Sequence, residues 1–171
     1  LDFGGFDIKE DINEIKQLTV SAGFNVSELV ASKRSNPHTK YFIGSGKMEE
    51  IVLMKETLKA NTLIFNHELS PSQERNIEKI SGMRVYDRTA LILFIFSLRA
   101  KTYEGKLQVE LAHLAHLSTR LVKGWSHLER QKGGIGVRGG PGEKQIELDR
   151  RMLGLRIKQL KEKLKKLAQQ R

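Results

Sequence analysis

The 171-residue chain contains no cysteine, three prolines and one tryptophan, and aromatic residues make up only 6% of it. Without cysteine there is no disulfide framework and no thiolate zinc site, a composition suited to a reducing compartment. The longest apolar run, Ala90 to Leu98, has nine residues including Ser97. A bilayer needs about 20, so no spanning segment is expected. No signal-peptide pattern opens the chain, and the expectation is a cytoplasmic protein without a membrane partner. A hydrophobic content of 39% supports a modest core, enough for one domain or two small ones.

The net charge of +10 is unevenly placed. Leu1 to Ala100 holds 13 basic and 13 acidic residues, whereas Lys101 to Arg171 holds 17 basic and 7 acidic. A neutral body carrying a basic appendage points to an anionic partner, nucleic acid or a charged membrane surface, unless the excess is only a solvated helix face.

The first hundred residues alternate helix and strand signals. Ile8, Ile12, Ile15, Leu18 and Ala22 recur at helical spacing, Phe24 to Val30 reads as a strand, and Gly46 to Lys59 returns to helical periodicity. Thr62 to Phe65 and Arg84 to Tyr86 read as short strands around a helix opened by Ser70 and Pro71 and ending near Gly82. Leu1 to Phe6 supplies a candidate edge strand, and Ala90 to Ala100 a buried linking helix. The pattern predicts an α/β fold, residues 1–100, with a small, mainly parallel sheet and flanking helices.

Residues 101–171 change period. Leu107, Leu111, Leu114, Ser118, Leu121, Trp125 and Leu128 alternate spacings of four and three, as do Ile146, Arg150, Leu153, Ile157, Leu160, Leu164 and Leu167. Two such heptad seams joined by a loop predict a long antiparallel two-helix coiled-coil hairpin, with a dimer zipper as the other use of the pattern. A monomer is the expectation, since each seam has a partner within the chain.

The joining loop, 131–142, is longer than a plain helix connection and rich in glycine. Gly133, Gly134, Gly136, Gly139, Gly140 and Gly142 surround Arg138, and Pro141 and Glu143 open a strong helix. Lys123, Arg130, Lys132, Lys144, Arg150 and Arg151 flank the loop. Positive charge beside a backbone able to approach a surface closely is suited to phosphate and folded RNA, though a flexible connector has a similar composition. Trp125 is placed either to stack a base or to fill the seam.

Catalytic signals are thin. Gly44, Gly46 and Lys47 precede a helix, as a phosphate loop would, but Tyr41 and Met48 stand where a P-loop requires glycine and a hydroxyl. A helix start able to hold an anion is what remains. The loop glycines lie between helices, which excludes a dinucleotide fingerprint. His113 and His116 share a helix face without a third ligand, so no metal site is expected. Asp87 and Arg88 follow a strand, where either a catalytic pair or a helix cap would sit.

Tyr41 to Lys47 (YFIGSGK), Glu68 to Asn76 (ELSPSQERN), Asp87-Arg88-Thr89, Glu104 to Leu111 (EGKLQVEL) and Gly133 to Arg151 together resemble the N-terminal part of the HflX-type ribosome-associated GTPases. The resemblance covers almost the whole chain. It implies an α/β subdomain, two long antiparallel helices and a following GTPase domain that holds GTP and Mg. No P-loop or NKxD string occurs in these 171 residues, so no cofactor and no catalytic residue is expected within them. The implied partners are the large ribosomal subunit with its rRNA and the protein's own GTPase domain, in ribosome splitting under stress. By the same resemblance Gly133, Gly134, Ile135, Gly136, Val137, Arg138, Gly139, Gly140, Pro141, Gly142 and Glu143 form the RNA-contacting tip, with Arg150 and Arg151 as its basal support. The family's usual RGPGE is one glycine longer here, Arg138 to Glu143, and Phe94 replaces a common Asp. Two alternatives stand beside this reading: an ATP-dependent RNA-remodelling activity at Gly44 to Lys47, and a coiled-coil protein-interaction module.

Overall fold

The computed structural model describes residues 8–33, 36–131 and 141–169. The chain divides into two compact units, Leu1–Leu98 and Arg99–Arg171. Among the described residues there are six helices and two strands: α1 (Ile8–Ser21), α2 (Ser45–Leu58), β1 (Thr62–Ile64), α3 (Pro71–Ser81), β2 (Arg84–Tyr86), α4 (Arg88–Arg99), α5 (Tyr103–Gln131) and α6 (Pro141–Gln169).

In the first unit, β1 and β2 pair in parallel, Leu63 opposite Val85, with α3 as the crossover. Alternation of side chains across the strands gives each sheet face its own core. Leu63, Phe65 and Val85 join Met48, Ile51 and Ile77 of α2 and α3, while Ile64 and Tyr86 join Ile15 and Leu18 of α1, Ala22 just beyond it, and Leu91 and Ile95 of α4. The helix ends follow local chemistry. Ser70 and Gln73 form a reciprocal capping box ahead of Pro71, and Gly82 closes α3 at φ 61°.

Two expectations change. Phe24 to Val30 belongs to no strand among the described residues, where only β1 and β2 pair. The apolar run of α4 is buried on one side only, at Leu91 and Ile95, leaving Phe96 and Leu98 exposed. The proposed edge strand Leu1 to Phe6 lies outside the described residues.

In the second unit, α5 and α6 have 29 residues each and pack on one another. Arg156 donates from Nε and Nη2 to Glu110 Oε1 at 3.0 and 2.7 Å, across the two helices. Leu107 and Leu160 are buried, and Leu153, Ile157, Leu164 and Leu167 are half-buried, as the heptad pattern requires; Leu148, Met152 and Leu155, off that seam, are exposed. Arg150 is exposed despite its seam position. Residues 132–140, most of the loop read from composition, lie outside the described residues, while Gln131 ends α5 and Pro141 opens α6. Proline fits there because the first helical residue has no amide partner to lose.

Candidate nucleic-acid interface and phosphate cradle

The two sites singled out from sequence fall in different units. Of the RNA-binding candidates, Lys132, Gly133, Gly134, Ile135, Gly136, Val137, Arg138, Gly139 and Gly140 lie outside the described residues. Arg130 is in α5, and Pro141, Gly142, Glu143 and Lys144 open α6; their side chains also lie outside the description. Arg150 and Arg151 are described and exposed, and Arg151 meets Glu147 one turn back at 2.7 Å. An exposed pair of this kind contributes at most about 1 kcal/mol, so the guanidinium remains available to a phosphate. The positive charge of α6 also extends beyond the candidate list: Lys158, Lys161, Lys163, Lys165 and Lys166 are all exposed. Their clustering was legible in the sequence as a charge run away from the glycine-rich segment.

The second site is at the start of α2. Gly44 is its N-cap, with no side-chain cap bond, so the first amides of the helix face outward. A polar cavity of about 690 Å³ lies against them, lined by Ser32, Lys33, His38, Gly44, Ser45, Gly46 and Lys47. The preceding turn is held firmly. His38 and Phe42 exchange backbone hydrogen bonds at 2.8 and 2.9 Å, and His38 Nδ1 accepts from the amides of Lys40 and Tyr41. Gln73 and Asn76 of α3 donate to the carbonyls of His38 and Lys40. Phe42 takes φ 66°, an unfavourable value for a bulky residue, and is held there by burial between Phe65 and His67.

This geometry suits an anion and does not suit GTP with Mg. Met48 stands where a P-loop hydroxyl would hold the metal, and it is wholly buried in the core. Lys47 Nζ lies 2.7 Å from Glu50, which partly neutralises it. The other chemical candidates resolve into structure. Asp87, 1% exposed, accepts from Ala90 N at 2.8 Å and Leu69 N at 3.3 Å, capping α4 and anchoring the approach to α3. Arg88 binds Asn66 and Glu14. His116 Nε2 lies 3.2 Å from Arg120 Nη1, a cationic neighbour that disfavours a metal ion. Among the described residues no group of three potential ligands is assembled, and no helix is long and apolar enough to cross a membrane.

Comparison with known proteins covers both units. Residues 9–97 match the family model for the GTP-binding GTPase N-terminal domain, and residues 99–171 match that for the GTP-binding GTPase middle region. The chain is 54% identical to GTPase HflX of Escherichia coli (strain K12) over 162 residues, covering 95% of this chain and 38% of that protein. It is 45% identical to GTPase HflX of Magnetococcus marinus, covering 94% of this chain and 37% of the relative. A crystal structure of a GTP-binding protein from the hyperthermophilic archaeon Sulfolobus solfataricus in complex with GDP superposes with a TM-score of 0.68 at 26% identity, covering 94% of this chain and 43% of that one. The chain thus spans less than two fifths of the curated relatives' length. With both of its units matched in order, the chain belongs to the HflX family of GTP-binding proteins, as their N-terminal and middle regions.

Proposed function

We propose that this chain is the ribosome-docking part of an HflX-type GTPase, which brings α5, α6 and the segment between them to rRNA of the large subunit. The observation that carries the reading is the placement of charge: the whole net +10 lies in Lys101 to Arg171, which holds two packed 29-residue helices, with five glycines around Arg138 in the segment between them.

Chain reach supports an antiparallel coiled-coil hairpin. Each helix is about 43 Å long at 1.5 Å per residue. The connection from Gln131 to Pro141 spans at most about 35 Å, too short to return along a helix for a parallel pair. The Glu110 to Arg156 bond, 46 residues apart, fits the antiparallel pairing. The segment 132–140 is then the tip, with the exposed Arg150 and Arg151 on the tip-proximal half of α6 and the exposed lysines from Lys158 to Lys166 on its far half. Binding proceeds by shape and charge, without bond chemistry in this chain. GTP and Mg belong to the rest of the full-length protein, where hydrolysis drives ribosome splitting under stress in the cytoplasm.

Binding to purified large ribosomal subunits over a salt series tests the reading. If Z phosphates are neutralised, log affinity falls against log salt with a slope near ~0.7Z to ~0.9Z. Arg138→Ala weakens binding and reduces the slope, and shortening 132–140 removes most of the affinity. Undiminished affinity in the shortened variant rejects docking through the tip.

A second reading rests on the polar cavity at the start of α2: an ATP-dependent RNA-remodelling activity. Saturable ATP binding lost in Lys47→Ala supports it, and absence of binding rejects it.

A further inference from the structure

The far half of α6 carries unbalanced charge. Residues 150–169 hold eight basic residues and one acidic residue, Glu162. Lys158, Lys161, Lys163, Lys165 and Lys166 are exposed, and among the described residues none of them makes a hydrogen bond or an ion pair. Glu162 stands within about a turn of Lys158, Lys165 and Lys166 and pairs with none of them. Arg151 and Arg156 differ, since each meets a glutamate at 2.7 Å. Like charges three and four residues apart repel, so Lys158, Lys161 and Lys165 weaken the helix that carries them.

The seam fixes where these side chains lie. Leu160 is buried and Ile157, Leu164 and Leu167 are half-buried, which sets the side of α6 turned to α5. At 3.6 residues per turn, Lys158, Lys161 and Lys165 fall within about 60° of one another on one edge beside that seam. Arg151 and Gly154 continue the same edge, with spacings of three and four throughout. From Arg151 to Lys165 the stripe is about 21 Å long at 1.5 Å per residue. Lys163 and Lys166 fall on the opposite edge, with Arg156 and its bond to Glu110.

We propose that this edge of α6 is a second surface, independent of the tip, for the phosphate backbone of double-helical RNA. Its chemistry selects that ligand. α6 contains no aromatic residue, so it offers no platform on which the bases of a single strand could stack. Lysines are compact charges suited to phosphate, without the planar fork that reads a base edge. At Gly154 open space stands where a side chain would be, so a duplex backbone can come close to the helix. A bilayer fits less well, because a helix lying in a membrane sets bulky apolar residues beside its lysines, and Ile157, Leu160, Leu164 and Leu167 are all in the seam. The inference rests on the RNA partner proposed for the second unit, but not on docking through 132–140.

Two double variants of the whole chain test it against a labelled RNA duplex, by fluorescence anisotropy over a salt series. Lys161→Gln with Lys165→Gln strips the proposed edge, and Lys163→Gln with Lys166→Gln removes the same charge from the opposite one. The first pair weakens binding roughly tenfold or more at about 0.1 M salt and lowers the log–log slope by about 1.8, whereas the second changes affinity by less than about threefold. Arginine at both 161 and 165 retains affinity, which separates loss of charge from loss of helix. Equal losses in the two glutamine variants, or none in either, overturn the inference. So does a first variant that keeps its duplex affinity and loses binding to phosphatidylglycerol vesicles, which assigns the edge to a membrane. Shortening 132–140 separates this surface from tip docking: the shortened chain keeps its affinity for the duplex, and loss of that affinity overturns the inference. Large-subunit binding that survives the shortening rejects the tip alone.

Discussion

Arg88 Nη2 lies 2.6 Å from Glu14 Oε1, joining the start of α4 to α1 across 74 positions of sequence. The same guanidinium donates from Nη1 to Asn66 beyond β1. The ion pair is exposed, so its expected signature is the pH dependence of stability. The Arg88 hydrogen bond holds the Glu14 carboxyl below its ordinary 4.5, and burial holds the His67 imidazole below its ordinary 6.5. In both cases the unfolded chain takes up the proton first as pH falls, so stability declines, beginning near 6.5 for His67 and near 4.5 for Glu14. Denaturant midpoints between pH 8 and 3 should show both declines. Arg88→Ala flattens the lower one and His67→Gln the upper; unaltered profiles count against these assignments.

Asp87→Ala removes the cap of α4 and leaves the Leu69 amide without its buried acceptor. A loss of about 2–3 kcal/mol is expected in the first unit by chemical denaturation, from one cap and one buried hydrogen bond. A loss below ~0.5 kcal/mol would mean that water replaces the carboxylate.

Lys59 ends α2 at φ 51° and donates its amide to Lys55 O. A left-handed position favours glycine, and the residue is exposed, so Lys59→Gly should stabilise the first unit by up to about 1 kcal/mol. Destabilisation would show that the lysine side chain makes a compensating contact.

Leu160→Ala should cost the second unit about 2–5 kcal/mol, because the side chain is fully buried. Met152→Ala, on the same helix but 67% exposed, should change stability by less than about 0.5 kcal/mol. Thermal melts followed by circular dichroism distinguish them, and equal costs would mean that the apolar face of α6 is wider than the heptad seam.

Local signals set out the helices clearly. Ser70, Pro71 and Gly82 delimit α3 almost to the residue, and the seam positions Leu153, Ile157, Leu160, Leu164 and Leu167 of α6 are buried or half-buried. These features depend on neighbours within a turn or two, so local chemistry determines them. Phe24 to Val30 shows the limit: it reads as a strand in the sequence, but among the described residues it belongs to none, and strand pairing depends on which distant segment supplies the hydrogen bonds. The sites divide in the same way. Basic residues and glycines around Arg138 are visible as composition, whereas the cradle at Gly44 depends on Ser32, Lys33 and His38 arriving from elsewhere in the chain.

The amino-acid sequence by itself determined the helix starts and stops, the seam and the position of the excess charge, because each is a property of spacing or counting. Tertiary structure alone decided that Met48 fills the core where a metal-binding hydroxyl would stand, that Asp87 caps a helix, and that Arg88 joins α1 to α4. Those outcomes depend on which distant groups meet, and a side chain's burial and charge partners are fixed only when the chain has closed around it.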